Sequence, residues 1–98
     1  MANKAQIIQA IADYVQKHGG SYGQWYCGIA ADARKRLFND HNVDEARDAW
    51  IYDTCASSDE ARAVEDHFVA KGMRGGPGGG DSATKAVYAY KITNSTKE

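Results

Sequence analysis

The sequence predicts an α+β domain in which three strands share one small sheet and about three helices pack against it. Three observations lead there. The chain has 98 residues, which is room for one small domain. Two segments, "QWYCGIA" and "KAVYAYKIT", are aromatic-rich and alternate side chains between two faces, as strands do. Helical apolar spacing fills much of the rest, so the order reads α-β-α-β-α-loop-β, and the strands need a common sheet to hide their apolar faces.

The first element, "NKAQIIQAIADYVQKHGG", is an amphipathic helix. Ile7, Ile8, Ile11 and Val15 recur on one face, Asn3 is placed to cap the start, and Gly19 and Gly20 end it. "QWYCGIA" over residues 24–30 is a strand with Trp25, Cys27 and Ile29 on one face and Tyr26, Gly28 and Ala30 on the other. Asp32 suits the N-cap of a second helix, "ARKRLFNDH", which turns Leu37 and Phe38 to the core. "AWIYDT" over residues 49–54 is a strand. "SSDEARAVEDHFVAKG" over residues 57–72 is the clearest helix, with a Ser57–Glu60 capping box, an inward stripe of Ala61, Val64 and Phe68, and Gly72 as terminator. "MRGGPGGGD" is a glycine-rich loop. The final strand sets Val87, Ala89 and Lys91 against Tyr88, Tyr90 and Ile92, and the tail "NSTKE" is expected to fray. There is no internal repeat and no linker, so residues 1–98 are expected to form a single domain.

Composition narrows the classes. Hydrophobic residues at 43% with charged residues at 26% belong to a globular chain. The formal net charge of −1 gives no general pull toward nucleic acid, so such a role needs a local basic patch. Cys27 and Cys55 form no CxxC pair or metal-spaced cluster and read as free thiols in a reducing cytoplasm. No apolar run approaches a membrane span, and the N-terminus lacks a signal-peptide core, so the expectation is a cytoplasmic protein with no membrane partner.

The stretch "YCGIAADARKRLFNDH" is similar to the second half of the GIY-YIG nuclease signature, where a Tyr-x-Gly strand leads into a helix carrying an arginine, then Leu, then a nearby His. "ASSDEARAVEDHFVAKG" resembles that family's later, glutamate-bearing helix. The two segments cover about half the chain. The family's opening GIY strand has no counterpart upstream, and the C-terminal strand "AVYAYKIT" is extra; it is a candidate to fill the missing place, with Tyr88 or Tyr90 standing for the lost tyrosine. The resemblance implies a GIY-YIG-like domain around a three-stranded antiparallel sheet. It implies catalytic roles for Tyr26 beside the scissile phosphate, Arg36 on the phosphate charge and Glu65 on a divalent metal, Mg or Mn. The chemistry is general: a planar guanidinium matches phosphate oxygens, and a hard cation takes carboxylate ligands and lowers the pKa of bound water.

The glycine-rich loop supports a second reading. Consecutive N–H groups can form an anion nest, and Lys71, Arg74, Gly75, Gly76, Gly78 and Gly79, with Tyr88, are candidate phosphate or ligand contacts. A flexible connector is the plain alternative, because no Gly-Lys-Ser/Thr and no helix follow. Arg34 and Lys35 cannot share a direction with Arg36 and read as solvated. His41 and His67 are possible metal ligands, but no two histidines stand at i and i+4. Trp25 and Trp50 read as core or interface anchors. Two functions are therefore expected: a GIY-YIG-like, metal-dependent phosphodiesterase or endonuclease acting on nucleic acid, or a non-catalytic protein on the same scaffold that holds a nucleotide, another phosphate-bearing ligand or a partner protein and needs no cofactor. A homo-oligomer is possible in either case, because small cores often lean on a partner.

Overall fold

The computed structural model describes residues 3–75 and 82–97. It is an α+β arrangement in which one antiparallel sheet separates two apolar layers. The first helix, α1, spans Lys4–His18. The Asn3 side chain accepts the Gln6 N–H at 2.9 Å and the Gln6 side chain accepts the Asn3 N–H at 3.0 Å, which satisfies two donors that a helix start leaves open. Ile7, Ile11 and Val15 are buried at helical spacing. Gly19, at φ 82°, lets the chain leave the helix.

Strands β1 (Trp25–Ala30), β2 (Trp50–Thr54) and β3 (Ala86–Lys91) are ordered β1-β3-β2, with both outer strands antiparallel to β3. The strand last in sequence is thus the centre of the sheet. The register pairs Cys27 with Ala89 and Ala89 with Ile51, and on the next row Tyr26 with Tyr90 and Tyr90 with Trp50. Side chains alternate, so one face carries Trp25, Cys27, Ile29, Val87 and Ala89 and the other carries Tyr26, Tyr88 and Tyr90. Every residue of β1 is buried.

The first face packs against α1 and against α3, which spans Ser58–Ala70. Ser57 caps α3 by accepting the Glu60 N–H at 3.1 Å. Only this half of the expected capping box forms, since Glu60 Oε1 is buried without a hydrogen-bond partner. At the other end the Gly72 N–H donates to Val69 O and the Met73 N–H to Phe68 O, a Schellman closure with Gly72 at φ 119° and Met73 and Phe68 in one core cluster. Met73 then leads into Arg74, whose N–H and C=O bond Trp25 O and Cys27 N at 2.9 Å each, so the start of the glycine-rich segment covers the outer edge of β1.

The second face packs against Leu37, Val43 and half-buried Phe38. The predicted second helix is α-helical only over Ala33–Lys35 (α2), with Asp32 accepting the Lys35 N–H at 3.1 Å. It then widens, and the His41 N–H reaches back five residues to Arg36 O at 2.9 Å. The tail corrects an expectation. Instead of fraying, residues 93–97 fold back: the Lys97 N–H donates to His41 O at 2.7 Å and Asn42 Nδ2 donates to Ser95 O at 2.8 Å. Backbone groups that find partners in the fold are not released to water.

Candidate functional site

Five of the residues singled out in the sequence, Tyr26, Arg36, His41, Tyr88 and Tyr90, converge on the second face. Tyr26 stacks on Tyr90 and Tyr88 at ring separations of 5.3 and 6.4 Å. Arg36 lies close enough to Tyr88 for its charge to act on the phenol. His41 ties the group together: its Nε2 is 2.7 Å from Tyr88 Oη, its Nδ1 is 2.7 Å from Lys97 O and 3.1 Å from Tyr90 Oη, and its ring is 4.6 Å from that of Tyr26. A carbonyl only accepts, so Nδ1 carries the proton toward Lys97 O, and in the neutral ring Nε2 accepts from the Tyr88 hydroxyl.

A tyrosine beside an oriented histidine has the form of an activated nucleophile. Burial argues against that use. Tyr88 is 2% exposed and His41 5% exposed. The Tyr88 phenol is held well above its ordinary pKa, first by burial and then by Tyr26, and Arg36 only partly offsets this. The group is a satisfied polar knot inside the sheet face, with Arg36 at its margin. Arg36 itself is half exposed and pairs with Asp40 at 3.5 Å, one helical turn on.

Glu65 is elsewhere. It lies on α3, whose Ala61, Val64 and Phe68 pack on the opposite face of the sheet, and its neighbour through the core is Cys27. The structure therefore does not bring Glu65 together with Tyr26 and Arg36. The physical reason is strand alternation: Tyr26 and Cys27 are consecutive and point to opposite sides. Burial raises the Glu65 pKa, Asp66 adds to the rise and Arg62 opposes it. Burial, then the Glu65 charge, pushes the Cys27 thiol far up, so it is no thiolate ligand. One carboxylate in apolar surroundings does not fit a hard divalent ion, which wants several oxygen ligands. Among the described residues no group of three His, Cys, Asp or Glu is arranged to hold a metal.

Of the glycine-rich candidates, Gly76, Gly78 and Gly79 lie outside the described residues. Gly75 is exposed, and on its inner side a Cβ would stand 2.9 Å from Val69 Cγ2 and 3.4 Å from Cys27 O. Lys71 and Arg74 are exposed, and Lys71, just past the end of α3, borders a groove of about 550 Å³ between α1 and the turn at residues 20–23. Ala12, Val15 and Tyr22 give the groove its apolar lining, and Gln9, Asp13, Gln16 and Ser21 supply polar groups. Gln9 Nε2 donates to Asp13 Oδ1 at 2.7 Å, which holds that carboxylate in place. This volume is in the range of small-molecule sites.

Sequence reasoning gave His41 only a minor role and missed the groove. The partners of His41 are 47 to 56 residues away, and no local pattern reports such contacts. Tyr22 and the α1 residues carried a weak signal, since Gly19 and Gly20 mark a turn that folds back over the helix end. Among the described residues no helix is long and apolar enough to cross a membrane. Comparison with family models, with curated proteins and with solved structures finds no match to this chain.

Proposed function

We propose that this chain is a binding protein that holds a phosphate-bearing small molecule, such as a nucleotide, in the groove between α1 and the turn at residues 20–23, beside Lys71, and does not cut it. One observation carries the reading: Lys71, a cation expected from the sequence to meet phosphate, stands on the rim of a groove of about 550 Å³ with an apolar lining and several hydrogen-bonding side chains. An ammonium is a mobile point charge suited to phosphate oxygens, and Tyr22 offers an aromatic surface to a base. The competing reading, a GIY-YIG-like nuclease, needs Tyr26, Arg36 and Glu65 at one phosphate. The separation of Glu65 from the other two across the sheet favours the binder.

The test is a titration of isotope-labelled protein with the common nucleoside mono- and diphosphates, followed by amide shifts. We expect at least one to move the Gln16, Ser21, Tyr22 and Lys71 signals, and Lys71→Ala to weaken it by about 1.5–3 kcal/mol, the scale of a charge-assisted hydrogen bond. Arg36→Ala should leave binding unchanged. Nicking of supercoiled plasmid in Mg²⁺ or Mn²⁺ by the wild type, and not by Glu65→Ala, would overturn the binder in favour of the nuclease.

A further inference from the structure

We propose that Asp13 makes the groove selective for guanine among the nucleobases, a refinement that rests on the reading of the groove as a nucleotide site. Its starting point is a carboxylate that phosphate alone does not call for. Asp13 lines the same groove as Lys71, yet the two do not pair, and among the described residues no cation forms a salt bridge with Asp13. The Asp13 side chain is exposed, and its hydrogen-bond partner is Gln9, whose Nε2 donates to Oδ1 at 2.7 Å. A carboxylate repels a phosphate, so the phosphate belongs at the Lys71 ammonium and Asp13 is left to the other end of the ligand. An ionised carboxylate only accepts hydrogen bonds, so that end must donate.

Gln9 and Asp13 are one helical turn apart on α1, which sets their side chains next to each other. One Nε2 hydrogen of Gln9 is used on Oδ1 and the other remains. The pair thus offers a donor, an acceptor and a second acceptor, in that order. Guanine's pairing edge is the complement: the O6 acceptor, the N1–H donor and the N2 amino donor. The other bases mismatch. Adenine turns a bare N1 lone pair to the carboxylate, cytosine a bare N3, and uracil or thymine a single N3–H between two carbonyls, so each sets an acceptor against an acceptor. Tyr22, Ala12 and Val15 give the base an aromatic and an aliphatic surface to lie on.

The test titrates the labelled full-length chain with the diphosphates of guanosine, inosine, xanthosine and adenosine, which differ only in the base. Guanosine diphosphate should bind tightest. The inosine form, which lacks the 2-amino group, and the adenosine form should each bind at least about tenfold more weakly, the scale of a hydrogen bond lost to a charged acceptor. Asp13→Asn exchanges one acceptor for a donor at an exposed position, where no core packing depends on it. It should weaken guanosine diphosphate by at least about tenfold and raise xanthosine diphosphate, whose C2 carbonyl accepts the new donor, above it. Lys71→Ala should weaken all four by one common factor, since it meets the phosphates and not the base. Base selection by Asp13 is overturned, with the nucleotide reading intact, if the wild type binds the four alike or if Asp13→Asn leaves their order unchanged. If the wild type binds none of them, the nucleotide reading falls and the selection falls with it.

Discussion

Gly28 is a residue whose role lies in what it lacks. A Cβ there would stand 2.5 Å from Tyr88 Oη and 2.6 Å from Cζ, so the Tyr88 ring lies over the bare backbone of its cross-strand partner. From that position the hydroxyl reaches His41 Nε2. Gly28→Ala must push the ring away and break this bond, and we expect a loss of about 2–4 kcal/mol from overpacking and a lost buried hydrogen bond, read from urea unfolding. Tyr88→Phe keeps the ring and removes only the hydroxyl, and should cost about 1–3 kcal/mol by leaving His41 Nε2 unpaired. Strand alternation made half of this legible: the sequence places Tyr26 and Gly28 on one face and Tyr88 and Tyr90 on another. That those faces are the same face, and that His41 closes it, depends on strand pairing, which no single-strand pattern contains. The two thiols follow the same logic. Burial raises Cys55 to about 11 and Cys27 further, so neither should react with a thiol-specific disulfide reagent at pH 8 until the protein unfolds.

The elements were legible where their ends carry chemistry. Asn3, Asp32 and Ser57 each accept a hydrogen bond from the N–H three residues on, and each starts the helix it was expected to start. Gly72 stops α3 at a φ of 119°. Gly72→Ala should therefore cost about 1–2 kcal/mol through left-side backbone strain, and Ser57→Ala about 1 kcal/mol through the lost cap; thermal unfolding of the two variants gives both. The second helix was not legible in its length. Asp32 announces its start, but after Lys35 the backbone opens to five-residue bonds that carry His41 back to the sheet, a tertiary demand that local propensity does not encode. The edge of β2 was equally silent in sequence. Its Trp50 N–H donates to Tyr14 Oη at 3.1 Å and its Thr54 N–H to Asp53 Oδ1 at 2.8 Å, so two donors that an edge strand would offer to another chain are already taken.

At the scale of the whole molecule, a three-stranded sheet buried on both faces sorts the polar residues into two groups that do not meet. The tyrosines and His41 lie on one side, and Glu65 lies on the other beside Cys27. The fold class was readable from segment order and apolar period. The grouping of the site was not, because it depends on which side each helix takes. Glu65 offers a measurement that depends on this sorting. Its pKa is raised by burial and by Asp66, against a smaller opposing effect of Arg62, so the native state holds its proton more tightly than the unfolded chain, where the value is about 4.3. Below that value both states are protonated and the group costs nothing. As pH rises from there through the folded value, the unfolded state loses the proton first and stability falls, and the penalty is not recovered at higher pH. Glu65→Gln removes the charge and keeps the shape. The variant should melt above the wild type at pH 7, and the gap should close as pH falls to about 3. A variant that instead melts lower at neutral pH, with the difference lost in acid, would mean that the native carboxylate has a favourable partner. Adding Mn²⁺ to the wild type then asks whether that partner is a cation: a rise in melting temperature that Glu65→Gln abolishes would return the metal-dependent reading, and no rise leaves Glu65 a buried acid held at a cost by the packing of α3 on the sheet.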